Sequence, residues 1–111
     1  MSEYIPDKWV IVKISGSDIP ITYKVFACWS GGWAGSDSWK LNSGITKATF
    51  GGEVYSFDGY SGSVYECHKN CYGTNMYGQG VLTSMIDKAY AQGVTIEIMP
   101  EDTNWLELKY E

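Results

Sequence analysis

The stretch KWVIVKI, Lys8 to Ile14, is apolar on both of its faces. Val10, Val12 and Ile14 alternate with Trp9 and Ile11, and in an extended chain successive side chains point to opposite sides. The β-branched and aromatic residues that dominate it fit a strand, and SGSD after it is a turn signal. A sheet with one face in water needs only every second residue apolar, so this strand must be covered from two directions. The chain of 111 residues is long enough for one domain, residues 1–111, and little more. The surplus apolar surface therefore predicts a symmetric homo-oligomer, a dimer or small ring, with the terminal segments at its interface.

Further strands follow the same signals. ITYKVFACW (21–29) reads as a second strand that runs into the glycine-rich SGGWAGSDS. SWKLNSGITKATF resumes extended structure, with Trp39, Leu41 and Ser43 on one face and Lys40 and Asn42 on the other. GGE turns the chain into VYSFDGY, and SG turns it again into SVYECHK. Turn signals every eight to twelve residues point to an antiparallel meander that curls into an open sheet or a small barrel. The period changes at Gly78. Val81, Met85 and Ala89 form one stripe and Leu82, Ile86 and Tyr90 the next, before a stop at Gly93. VTIEIM is a last strand, and Pro100 ends it. The tail that follows docks Trp105, Leu106 and Leu108 on the body or on another subunit. The expected class is thus α+β, mainly antiparallel β, with one late helix and a final strand.

Composition removes several functions. The net charge is −5, and all eight basic residues are lysine. Arginine is the usual bidentate fork for guanine, phosphate and carboxylate, so a reader of duplex DNA is not expected. The N-terminus has no basic region ahead of a hydrophobic run and no small-residue cleavage site, so neither a signal peptide nor a membrane span is expected. Three cysteines without such a signal are expected to stay reduced in a cytoplasm.

Cys67, His68 and Cys71 crowd into ECHKNC. A structural zinc site wants four ligands in pairs such as C-x2-C. Here the cysteines are C-x3-C, and in a strand Cys67 and His68 point to opposite faces. The same opposition misplaces His68 as a base for a Cys67 nucleophile. Cys67 is expected to pack inward as a small hydrophobe. GYSGS lacks the second glycine of a nucleophile elbow and lies between two strands. No metal, cofactor or catalytic set is assigned.

What the sequence does offer is surfaces for binding. YGTNMYGQG leads into a helix N-terminus, whose amides and dipole can meet an anion without arginine. Stacking surfaces are expected from Trp33, Trp39, Tyr60, Tyr72 and Tyr77. Negative charge is expected to meet Lys40, His68, Lys69 and the amides near Gly78 and Gly80. Together these describe a non-enzymatic binding protein for a small nucleotide-like ligand.

YKVFACWSGGWAGSDSWKLNSGI followed by FDGYSGSVYECHKNCYG resembles a family of small uncharacterised proteins of marine phages, especially phages of cyanobacteria. The resemblance covers nearly the whole chain, and DSWKLNSGI and SGSVYECHK are its most specific pieces. It implies a phage-encoded protein in the cytoplasm of the infected bacterium, where ligand binding would sequester a host signalling molecule. The layout is more weakly similar to Sm-like small β-barrels, which form rings on single-stranded RNA. It departs from them in its late helix and its lack of arginine, and a ring that stacks single-stranded RNA on exposed aromatics is the alternative reading. A structural or partner-blocking accessory role fits the composition equally well.

Overall fold

β2 (Lys8–Gly16) lies inside a four-stranded sheet, paired with β3 (Ile19–Trp29) on one side and β8 (Val94–Ile98) on the other. β4 (Ser38–Leu41) pairs with the outer side of β3 and forms one edge of that sheet, β8 the other. The second sheet has the order β1 (Glu3–Tyr4), β7 (Val64–His68), β6 (Val54–Gly59), β5 (Ile45–Gly51). All pairings are antiparallel except β1 with β7. The helix α1 (Met76–Tyr90) joins β7 to β8. This computed structural model describes residues 3–31 and 35–110. The class is α+β and mainly antiparallel, and the strands form two separate sheets with no closed barrel among the described residues.

The two apolar faces of β2 serve two different layers. Trp9 and Ile11 face the second sheet, where they pack with Val25 and Ala27 of β3 and with Ile45, Phe57, Tyr65 and Cys67. Val10 and Val12 face α1, where Phe26, Cys28 and Leu82 join them. Helix, sheet and sheet thus stack in three layers. The cover that the sequence demands on both sides of KWVIVKI is supplied within one chain, so the two-sided strand does not itself require a second copy.

Between β4 and β5 the chain was expected to run on extended, but it breaks at Asn42. The Asn42 N–H donates to Val25 O at 3.0 Å, while its own side-chain Oδ1 accepts from the Val25 N–H at 2.8 Å. That side chain stands in for the next backbone acceptor, so the ladder ends in a satisfied bond. Gly44, at φ +129°, then turns the chain into the other sheet. A β-carbon there would lie 2.8 Å from the Tyr60 ring, which leaves room only for glycine.

α1 begins two residues before the expected Gly78. Asn75 caps it, its Oδ1 accepting from the Gly78 N–H at 2.7 Å. Gly93, at φ +82°, ends the turn into β8. Leu82 is fully buried, but Tyr90 at the end of the same stripe is exposed. No described helix is long and apolar enough to cross a membrane.

Of the two placements expected for the tail, on the body or on another subunit, the chain shows the first. Trp105 and Tyr110 belong to the core between the sheets, with the Tyr110 hydroxyl donating to the Trp105 carbonyl. Leu108 packs against that core from its edge, whereas Leu106 is exposed. Truncating Trp105 to alanine should therefore cost about 3–5 kcal/mol in urea unfolding, as for other fully buried large side chains. Leu106→Ala should stay within about 0.5 kcal/mol; equal losses at the two positions would contradict this packing.

Candidate binding groove

Strand alternation divides the residues expected to share a site. Trp39 lies opposite Cys28, and Lys40 opposite Ala27. Cys28 faces α1 and Ala27 the second sheet, so Trp39 and Lys40 leave β4 on opposite faces. On the helix side, Trp39, Tyr77 and Gly80 come together with Met76, Val81, Ser84, Met85 and Lys88 around an open groove of about 630 Å³. Phe26 stacks behind the Trp39 ring at 5.6 Å and an interplanar angle of 17°. Trp39 is 38 % exposed and Met76 93 % exposed. Among the described residues Lys88 is the one charged side chain that lines the groove.

The other expected residues lie elsewhere. Lys40 lines a smaller cavity of about 260 Å³ with Ser43, Ser61 and Ser63, its Nζ 5.2 Å from the centre of the Tyr4 ring. Tyr60 is exposed on the β6–β7 turn. His68 is exposed on the outer side of the second sheet, and its Nδ1 accepts from the Asn70 N–H at 3.1 Å to cap the 3-10 turn Lys69–Cys71. Lys69 is 3.7 Å from Glu53 in an exposed ion pair. Trp33 lies outside the described residues.

Two expected residues need correction. Tyr72 is no freely exposed stacking surface: its hydroxyl donates to Met99 O at 2.6 Å and accepts from the Ile11 N–H at 3.2 Å, bridging β2 to the end of β8. Its ring stacks on Trp105 at 5.6 Å, and what stays open lines a cavity of about 280 Å³ with Lys69. Gly78 offers no amide to an anion, because Asn75 Oδ1 already takes its N–H. Its lack of a side chain matters instead, since a β-carbon there would run into Cys28 Sγ. The substitution Gly78→Ala should destabilise the protein by about 1–3 kcal/mol through this collision. Adding Cys28→Ala should recover part of the loss in a double-mutant cycle, and strict additivity would count against the contact.

The thiols sit in separate places. Cys67 is buried between the sheets with His68 on the opposite face, as the alternation requires. Desolvation pushes its thiol well above the usual cysteine range, and Glu66 beside it adds to the rise. Cys28 is buried under α1, where desolvation raises its pKa against the lowering pull of the Asn75 N–H. Neither is placed as a thiolate nucleophile. No three metal-ligating groups converge among the described residues.

Met76, Ser84 and Lys88 belong to no site expected from the sequence, and Met85 belongs there only to the helical stripe it forms with Val81 and Ala89. The i, i+4 spacing of Met76, Gly80, Ser84 and Lys88 carried the signal. It was hidden because placing the helix start at Gly78 cut off Met76. Comparison of the chain with family models, with curated proteins and with solved structures finds no match to any of them.

Buried phenols give the fold a pH limit. Desolvation raises Tyr72 to about 12 from 10.0 against the lowering bond from Ile11, and desolvation with nearby Tyr4 raises Tyr65 to about 12. A raised acid pKa stabilises the fold below the unfolded value and loses that contribution as pH climbs through the folded one. Stability should therefore fall as pH rises from about 10 toward 12. Urea midpoints with phenolate absorbance check this, and Tyr72→Phe should flatten part of the slope.

Proposed function

We propose that the chain is a non-catalytic binding protein that docks a partner protein through the groove between β4 and α1. This is the partner-blocking role, acting in the phage-infected cytoplasm that the resemblance implies. The observation that carries it is the Trp39 ring, supported from behind by Phe26 and left open beside Met76, Tyr77 and Met85. Rigid aromatic anchors on apolar surface are where binding energy concentrates. Methionines add a surface that adapts to different shapes.

The nucleotide-like ligand expected from the sequence keeps two stacking surfaces here, Trp39 and Tyr77, but only Lys88 as a cation. Phosphates would find the capped Gly78 amide occupied and Lys40 on the far face of the strand. An Sm-like RNA ring gains no specific feature from the groove. Partner docking is therefore the better-supported reading.

Selection of a random peptide library on the intact chain, followed by calorimetry, tests it. Selected peptides should bind at least tenfold more weakly to Trp39→Ala, a loss of about 1.4 kcal/mol or more, while the variant keeps a cooperative urea transition. Peptides that bind Trp39→Ala equally well would move the site elsewhere. A nucleotide that raises the melting temperature only when Trp39 is present would replace this reading with the small-ligand one.

A further inference from the structure

One wall of the groove is a free sheet edge. β4 pairs with β3 through Trp29↔Ser38, Cys28↔Trp39, Ala27↔Lys40 and Phe26↔Leu41. The next pair is hydrogen-bonded, with the Asn42 N–H donating to Val25 O. In an antiparallel ladder hydrogen-bonded and non-bonded pairs alternate. Lys40 and Ser38 therefore turn their backbone groups toward β3, and Trp39 and Leu41 turn theirs away from the sheet. β4 ends the strand order, so no described strand takes up those outward N–H and C=O groups. The side chains of Trp39 and Leu41 face the helix, so the free backbone groups and the groove belong to the same two residues.

Resting on the docking reading above, we propose that the partner is an extended segment that adds a fifth strand to this sheet beside β4. Its alternate side chains would drop into the groove against Trp39, Met76 and Met85. Strand addition suits this place because main-chain bonds supply affinity and alternating pockets supply selectivity. The side chains on the segment's other face lie on the side of β4 that carries Lys40, and Lys88 lines the groove itself. Lys40 on that side selects a segment that is apolar at every second position, toward the groove, and acidic between. A second copy of β4 fits less well in the register of fullest overlap, Trp39 opposite Leu41 of the copy, because SWKL then brings Lys40 beside Lys40, and like charges opposite one another are destabilising.

The probe is the octapeptide acetyl-Glu-Val-Glu-Ile-Glu-Val-Glu-Leu-amide, titrated into the intact chain by calorimetry. Its lysine counterpart should bind at least tenfold more weakly, and Lys40→Glu should narrow or reverse that preference. Two further versions carry N-methyl groups on alternate amides. Methylation of the set that faces β4 should abolish binding, and methylation of the other set should be tolerated. If the octapeptide does not bind, or if both methylated sets bind like the parent, strand addition is wrong. The groove reading would then stand or fall on the library peptides and Trp39→Ala alone. If the free chain dimerises with the outward Trp39 and Leu41 amides protected from hydrogen exchange, the edge is filled by a second copy and the proposal is overturned.

Discussion

The indole of Trp9 fastens the two sheets and the C-terminal tail to one another. It sits in β2, is 1 % exposed, and has Phe57 of β6 at 5.6 Å, Tyr72 beyond β7 at 4.8 Å and Trp105 of the tail at 6.0 Å. Its Nε1–H donates to His68 O at 2.7 Å, so the polar edge of a buried ring is satisfied while its faces exclude water. One residue thereby joins the helix-covered sheet, the second sheet and the C-terminal tail. The parallel bridge between Trp9 and Tyr72 and the Gly73 N–H bond to Trp9 O at 2.8 Å hold the chain that leads into α1. The position of the helix, and with it the groove, follows from that attachment.

Most strands were legible because their causes are local. Alternation and β-branched content mark β2, β3 and β8, and the GGE turn marks the β5–β6 hairpin, where Gly52 and Glu53 adopt φ 58° and 68°. Alternation also separated Cys67 from His68 correctly, since one is buried and the other exposed. Less legible was anything that depends on which layer covers which face. KWVIVKI demanded cover on two sides, but the pattern could not say whether a second chain or this chain's own helix and second sheet would provide it.

The candidate site shows the same division. Tyr77 and Gly80 were recognisable beside the helix start, and Trp39 as an aromatic on a short strand. Their grouping with Lys40 failed because adjacent residues on a strand oppose each other. Tyr72 failed because a tyrosine suited to stacking on a ligand is equally suited to bridging two backbones from inside. Asn42 disguised a break as a continuous strand, since its bond to Val25 is made by a side chain that the apolar pattern does not record.

Gly80 separates the groove from ordinary surface. Glycine inside a helix costs about 1 kcal/mol relative to alanine, and a helix usually carries it where another group packs too closely for a side chain. Gly78 has that reason in Cys28 Sγ, but a β-carbon built on Gly80 would meet no atom within 4 Å. The folded chain alone therefore gives Gly80 no packing role to offset its cost. Gly80 lines the groove with Trp39 and Met85, where a missing side chain lowers the floor and lets another molecule approach the helix backbone. On the docking reading proposed above, a surface kept open at some expense in helix stability is what a binding groove requires, and Trp39 across from it, already stacked on Phe26, would need no rearrangement to receive a partner.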